Sequence, residues 1–338
     1  LKILVTGGAG FIGSNFIRYL LSHSDDKVVN FDKLTYAGNL ENLTDVSQNP
    51  RYHFSIGDIC DPEAVENAMD GVDSIINFAA ETHVDRSILS AADFVRTDVV
   101  GTQVLLEAAR RHRISRYLQI STDEVYGSIA SGASDEAFAL SPNSPYAASK
   151  AAGDLLVRAY FVTYRLPVLI SRCSNNYGPY QYPEKLIPLF TTNALEGRSL
   201  PLYGDGLNIR DWIHVEDHCR AIDRIFRTGS EGEAYNVGGG EERTNRSVAE
   251  AILAALGKPT SMIQPVPDRP GHDWRYALDC KKVRGLGFSP TIRFEEGLRS
   301  TVRWYQENRS WWERIRSGEF QKYYDSVYGK PGLGPQVR

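Results

Sequence analysis

Short apolar runs and helical stripes take turns along the first half of the chain. Residues 2–5 form a brief apolar run, and residues 11–21 then space Phe, Ile, Phe, Ile and Leu along one helical face. Further strand-like runs lie at 27–31, 52–56, 74–78, 116–121 and 167–171. Helical spacing falls between them at 62–69, 99–111 and 145–164. Strands separated by helices predict an α/β fold built on a doubly wound parallel sheet. The second half loses this rhythm. Glycine and proline gather at 177–179, 203–206, 237–240 and 268–271, and helices are expected at 184–195, 215–227, 247–256 and 294–308. The pattern divides the chain into a first domain over 1–175, with returns near 207–236, and a smaller mixed α/β C-terminal lobe over 176–206 and 237–330. Residues 331–338 read as a loose tail.

Composition narrows the class. Of 338 residues 42% are hydrophobic, enough for a large core, and the net charge is −4. Near balance excludes a strongly basic nucleic-acid binder and recruitment to an anionic membrane by charge. An anionic ligand must be held by local groups. No apolar run reaches transmembrane length. Cys60, Cys173, Cys219 and Cys280 are scattered, with no CxxC or Cys/His cluster, so reduced thiols and no metal site are expected. The chain opens on a strand, without a basic segment followed by an apolar one. No signal peptide is read, and a cytoplasmic location is expected.

The first turn carries chemistry. Thr6-Gly7-Gly8-Ala9-Gly10-Phe11-Ile12-Gly13 fits G-x-G-x-x-G at Gly8, Gly10 and Gly13, and G-x-x-G-x-x-G at Gly7, Gly10 and Gly13. Placed between a strand and a helix, it suits a pyrophosphate at the helix N-terminus and makes the sheet Rossmann-type. Asp32 closes the second strand, about 20 residues on, where an acid grips a ribose. A carboxylate favours a free 2′-hydroxyl over a 2′-phosphate, so NAD is expected; Lys33 beside it is a cation that could tolerate phosphate. Asp58 with Ile59, and Phe78 with Ala79 and Ala80, follow later strands where adenine and nicotinamide ribose would lie. The alanines fit core packing equally well.

Two further stretches suggest proton transfer. Ser121-Thr122-Asp123-Glu124-Val125-Tyr126-Gly127 places two acids and a hydroxyl where a strand ends. Neighbours on a true strand point to opposite faces, so the acids are expected where the strand has become a loop. In a closed site, burial and like charge would split them into an acid and a base. A solvated strand end or a helix cap would also account for them. In Ser144-Pro145-Tyr146-Ala147-Ala148-Ser149-Lys150, Ser144 can cap a helix with Pro145 at its first position. Tyr146 and Lys150 then share a face. An ammonium and a nicotinamide cation nearby would make the phenol a base near neutrality. The alternative is an ordinary surface pair.

Together, Gly7 to Gly13, the Thr122 hydroxyl and Tyr146 with Lys150 resemble the extended short-chain dehydrogenase/reductases. Ala79-Ala80-Glu81-Thr82-His83-Val84-Asp85-Arg86-Ser87 and the stretches at 121–127, 174–180, 183–188, 203–206 and 269–273 narrow the resemblance to the nucleotide-sugar 4,6-dehydratases of that family. The likeness covers nearly the whole chain. The Asp123-Glu124 pair is its most specific part, since related epimerases usually lack both acids and decarboxylating relatives usually keep only the glutamate.

The resemblance implies a tightly bound NAD, regenerated each turnover, and dTDP-glucose as substrate. It implies that Tyr146 takes the 4-hydroxyl proton as C4 is oxidised, that Glu124 removes the C5 proton while Asp123 protonates the departing 6-hydroxyl, and that hydride returns to C6. Thr122 and Lys150 complete the catalytic set. By the same likeness Gly7, Gly10, Phe11, Ile12, Gly13, Asp32, Lys33, Thr35, Asp58, Ile59, Phe78, Ala79, Ala80, Thr97, Tyr146, Lys150 and Asn176 surround the cofactor. Thr82, Thr122, Asn175, Glu184, Lys185, Leu186, Pro201, Tyr203, Arg210, Asn245 and His272 hold the substrate. Arg210 suits a diphosphate through its planar fork of donors, or could pair with Asp211 or Glu216. Asn245 could instead cap the helix beginning near Ser247. Thr82, Asp98 and Trp274 stand where Ser, Asn and Arg are usual. Relatives pair through helices corresponding to 99–111 and 145–164, which implies a homodimer with a four-helix contact; the apolar residues there could also pack internally. Two other readings stay open. One is a UDP-glucose 4,6-dehydratase or a sugar-nucleotide 4-epimerase on the same scaffold. The other is a non-catalytic NAD-binding module.

Overall fold

The apolar runs of the first half become parallel strands of one sheet. The computed structural model describes residues 1–317 together with Phe320, Lys322 and Tyr324, so the tail expected at 331–338 lies outside the described residues. The strands are β1 (Lys2–Thr6), β2 (Lys27–Asp32), β3 (Tyr52–Ile56), β4 (Ser74–Asn77), β5 (Arg116–Thr122), β6 (Val168–Cys173), β7 (Asn175–Tyr177), β8 (Leu200–Tyr203), β9 (Ile209–His214), β10 (Ala234–Val237), β11 (Glu242–Thr244) and β12 (Ile263–Val266). Seven form a sheet in the order β10-β6-β5-β4-β1-β2-β3, with every neighbouring pair parallel. The order reverses between β1 and β4, so the carboxyl ends of the strands flank a crevice there.

Both faces of the sheet are covered, which is why Ile3, Leu4 and Val5 are all fully buried. On one face, helix Phe11–His23 packs Phe16, Ile17 and Leu20 against Ile222, Ile225 and Phe226 of helix Val215–Thr228. On the other, Leu105, Leu106 and Ala109 of helix Thr102–His112 meet Val157 of helix Pro145–Tyr164. Burying each large side chain contributes about 1.5–3 kcal/mol. After β6 the chain leaves the sheet and then returns, first with helix Val215–Thr228 and then with the edge strand β10.

The remaining strands make a mixed sheet, β11-β9-β7, and a pair, β12-β8. Helices Leu186–Leu195, Asn245–Ala255 and Phe294–Glu307 cover them around Phe190, Trp212, Ile252 and Leu298. The α/β reading with a smaller mixed C-terminal region holds.

Two expectations need correction. The helix expected over 99–111 is preceded by a π-helical stretch, Val95–Gly101, and only then becomes the α-helix Thr102–His112. The stretch is rich in β-branched residues, and its Asp98 is drawn inward by polar partners, so the wider turn is locally favoured. Asn245 does not cap the helix near Ser247. Thr244 does, accepting from the Ser247 amide at 3.1 Å, and Asn245 is the first helical residue.

Candidate active site

The glycine turn after β1 is shaped for close approach. Gly7 has φ +68°, and a Cβ there would lie 2.6 Å from the Ala79 nitrogen. A Cβ on Gly13 would lie 2.4 Å from the Gly7 carbonyl oxygen. The wider glycine spacing is therefore the one that fits: Gly7, Gly10 and Gly13 line the cleft, whereas Gly8 packs on Asn30 and Ile17. The N-cap of the first helix is Gly10, without a capping side chain, so the first-turn amides of Phe11, Ile12 and Gly13 offer a positive end to the cleft. Asp32 accepts from the Ala9 amide at 2.9 Å and the Leu34 amide at 2.8 Å, and burial raises its carboxyl above the usual range despite these bonds. Lys33 turns to Asp58, 3.1 Å away. Thr35, Asp58, Ile59, Phe78, Ala79, Ala80, Thr97 and Asn176 complete this wall. Glycine cradle, helix N-terminus and ribose-gripping acid together fit a dinucleotide.

The other end of the same cleft holds Thr122, Asp123, Glu124, Tyr146 and Lys150. As β5 ends, the backbone tightens into a 3-10 turn, Asp123–Tyr126, so both acids escape the alternation of a strand. Thr122 caps the turn, accepting from the Glu124 amide at 3.3 Å and donating to Asp123 Oδ1 at 3.2 Å. Gly127 closes it at φ +74°, where a Cβ would collide with the Ser141 carbonyl. Behind the turn, Arg172 donates to the Tyr126 hydroxyl and to Asp154 of the helix Pro145–Tyr164, each at 2.8 Å. Tyr126 in turn donates to Asn236 on β10 at 2.8 Å.

The two acids differ in setting. Asp123 is 3% exposed; burial, the neighbouring Glu124 and Asp211 push its carboxyl well above the usual range. Its Oδ2 has no partner among the described residues. Burial also raises Glu124, but Arg269, Lys185 and Arg210 pull it down. Asp123 is thus pushed toward its protonated form, while Glu124 faces three cations.

Without a nicotinamide cation, the groups of the chain hold the proton on Tyr146. Burial, Glu124, Asp98 and Cys173 push its hydroxyl well above the ordinary phenol range. Ser144 caps the helix and Pro145 leads it, as expected, so Tyr146 and Lys150 share a face. Yet Lys150 Nζ donates to the Ile120 carbonyl at 2.8 Å. The chain's own charges do not favour tyrosinate.

Of the residues expected to hold a substrate, Thr82, Asn175, Glu184 and Lys185 line the cleft with Thr122. Lys185 Nζ donates to the Thr82 carbonyl at 2.5 Å. Glu184 works as a clasp: it accepts from the Tyr36 hydroxyl and from Arg86 Nε, each at 3.0 Å. Leu186, Pro201, Tyr203, Arg210, Asn245 and His272 do not line this cleft. Leu186 opens its helix and packs on the second core. Pro201 sits in β8 opposite Gln264. Arg210 pairs with neither Asp211 nor Glu216. It donates to the Ile209, Asp273 and Trp274 carbonyls and lies 4.5 Å over the Tyr276 ring. Tyr203 and Arg269 both donate to Asp85 at 3.0 Å. His272 meets Asp268 at 2.6 Å, and burial pushes it down to about 4. The buried Asn245 Oδ1 lacks a partner among the described residues.

Sequence reasoning did not single out Tyr36, Glu81, Cys173, Gln181 and Tyr182 in the cleft; the resemblance put the 268–272 loop around the nucleotide, and Arg269 of that loop acts on Glu124. Glu81 and Arg269 stood inside recognisable stretches. Tyr36 had no signal; it arrives on a loop that follows β2 with Leu34 at φ +56°.

Comparison with known proteins agrees with this geometry. The family model described as GDP-mannose 4,6 dehydratase matches residues 4–301. The chain is 56% identical to a dTDP-glucose 4,6-dehydratase of Streptomyces niveus, over 98% of this chain and 99% of that one. It is 50% identical to a dTDP-glucose 4,6-dehydratase of Neisseria meningitidis, over 95% and 97%. The solved structure of DesIV, a dTDP-glucose 4,6-dehydratase from Streptomyces venezuelae with NAD and TYD bound, superposes with a TM-score of 0.92 at 54% identity, covering 93% of this chain and all of that one. A UDP-glucose 4-epimerase of Thermus thermophilus in complex with NAD superposes with a TM-score of 0.86 at 32% identity, covering 91% and 100%. The fold is shared across two reactions, so the choice between them rests on the site.

Proposed function

The chain belongs to the GDP-mannose 4,6 dehydratase family, and from that membership we infer that it removes water from dTDP-glucose to give dTDP-4-keto-6-deoxyglucose. The acid pair carries this reading: Asp123, its carboxyl raised by burial and by its neighbour, beside Glu124, which faces Arg269, Lys185 and Arg210. An epimerase has no need of both.

The glycine cradle and Asp32 would hold NAD, which would supply a hydride acceptor for C4 and return that hydride to C6. Tyr146, with Thr122 beside it, takes the proton of the 4-hydroxyl. Because the chain keeps Tyr146 protonated, its basicity draws on the positive charge of the oxidised cofactor. The 4-ketone acidifies the C5 hydrogen. Glu124 removes it, Asp123 gives its proton to the departing 6-hydroxyl, and one water leaves; as hydride returns to C6, Glu124 gives the proton back to C5, and the proton taken by Tyr146 restores Asp123. Lys150 positions the cofactor end of Tyr146 through its hold on Ile120. Asn175 and Lys185 line the cleft where the nucleotide diphosphate would enter, and Arg210 acts on the acid pair from outside that lining; the resemblance assigns Arg210, Asn245, Tyr203 and His272 to the same nucleotide. Residues 1–175 with the return near 207–236 serve the cofactor; residues 176–206 and those from 237 onward serve the substrate.

The protein also acts as a homodimer. Val95 and Val100 on one helical segment, and Leu155, Val162 and Tyr164 on the next, are each about half exposed, a supply of apolar surface suited to a four-helix contact with a second copy. No described helix is long and apolar enough to cross a membrane. The product, an activated keto-deoxysugar, places the enzyme in cytoplasmic deoxysugar synthesis.

Mass spectrometry of dTDP-glucose incubated with the purified protein, without added NAD, tests the reading. Loss of one water supports it, and UDP-glucose run in parallel reports base preference. An unchanged mass with isomerised sugar would return the assignment to a 4-epimerase. No reaction, even with NAD supplied, would leave the non-catalytic module.

A further inference from the structure

The mechanism above makes no use of Asp98, yet it is 2% exposed and sits behind the reacting residues. It lies in the π-helical stretch Val95–Gly101, whose backbone presses on the catalytic helix: a Cβ on Gly153 would come within 3.0 Å of the Asp98 carbonyl oxygen. Its Oδ2 accepts from Ser149 Oγ at 2.6 Å, and its Oδ1 accepts from the Glu81 amide at 3.2 Å. Ser149 stands between Tyr146 and Lys150 on their helix. Glu81 lies on the loop after β4 that walls the cofactor end of the cleft.

We propose that Asp98 is a positioning residue for the reaction: its carboxylate ties the helix of Tyr146 and Lys150, through Ser149, to the Glu81 loop, and sets a negative charge among the reacting groups. The inference rests on the proposed function. The charged and titratable groups that face Asp98 are Lys150 and Tyr146 from the helix and Glu81 from the loop; Lys33, Asp93 and Arg86 act on Glu81 from its far side. Burial raises Asp98 to about 6, with Lys150 the largest opposing influence, and burial with the Asp98 charge raises Glu81 to about 7. Above that range Asp98 is ionised, and its charge keeps the proton on Tyr146. Removing the charge therefore lets Tyr146 ionise at lower pH.

Two variants separate the tie from the charge. Asp98→Asn is isosteric and keeps groups able to bond both partners, but it is neutral. The acidic limb of its kcat profile for dTDP-glucose should move to lower pH by about one unit. Ser149→Ala keeps the charge and cuts the tie. Its kcat should fall roughly tenfold or more, from misplacement of Tyr146, while the acidic limb stays in place. A wild-type pH profile in Asp98→Asn, or wild-type kcat in Ser149→Ala, would overturn the proposal. If the wild-type protein converts no nucleotide sugar, the proposed function fails separately. The charge effect is then read from tyrosinate absorbance of the NAD-bound protein, differenced against Tyr146→Phe in each background. Tyr146 should ionise at lower pH in Asp98→Asn, and identical titrations would sink the idea.

Discussion

Asp123 and Glu124 are adjacent in sequence and nearly alike in chemistry, so only their surroundings can divide the work between acid and base. Asp123 has burial and two carboxylates raising it; Glu124 has three cations opposing its burial. The two titrate as a unit. The reaction needs the pair to hold one proton. Acidification protonates Glu124 and removes the base, and alkalinisation ionises Asp123 and removes the acid. Since both groups are raised, both limbs of the rate profile should lie above the ordinary carboxylate range near 4. Asp123→Asn should abolish the alkaline limb, and Glu124→Gln should strip the Glu124 contribution from the acidic side and leave the Tyr146 ionisation there, each with turnover reduced by about 10²–10⁴. Steady-state kcat against pH for the three proteins checks this, and unchanged limbs in both variants would remove the pair from the mechanism. At this scale the sequence was informative about which residues meet, because the glycine spacing, the acid pair and Tyr146 with Lys150 are each local patterns. It did not show which groups of the chain raise Tyr146. A phenol's proton affinity sums burial and charges from Glu124, Asp98 and Cys173, which arrive from distant parts of the chain.

Elements hold these residues still. The turn Asp123–Tyr126 is pinned from behind by Arg172, buried between Asp154 and Tyr126. Replacing Arg172 by Met strands the Asp154 charge in the core and should destabilise the fold by about 3–5 kcal/mol. Pairing that change with Asp154→Leu should restore much of the loss, as measured by denaturant unfolding. The glycine turn makes an equally local demand. In Gly13→Ala the new Cβ would press on the Gly7 carbonyl from 2.4 Å, so the turn must open and the purified protein should lose most of its NAD. Extraction and quantitation of the nucleotide decides it. The regular strands and helices were legible because period and caps are short-range: Ser144-Pro145 announces its helix to the residue. The π-helical stretch was not, since its Asp98 bonds Ser149 and Glu81, and no window of neighbouring residues contains those partners. Tyr36 was obscure for the same reason.

The whole molecule joins two uses of one chain. Its exposed apolar side chains on Val95–Gly101 and Pro145–Tyr164 lie on the segments that carry Thr97, Tyr146 and Lys150, so the proposed dimer contact would share its elements with the cleft. Leu155→Asp puts a charge on that face without touching the cleft. It should give a monomer by light scattering and a lower thermal midpoint, whereas a persistent dimer would place the contact elsewhere. Connectivity adds a demand of another kind, on the order in which the protein is made. During synthesis β6 emerges with one edge bare, and it stays bare until β10 is available. Phe16, Ile17 and Leu20 likewise wait for helix Val215–Thr228. A nascent chain paused before residue 237 therefore presents an open strand edge and an uncovered greasy face together, the combination that chaperones bind and that seeds aggregation.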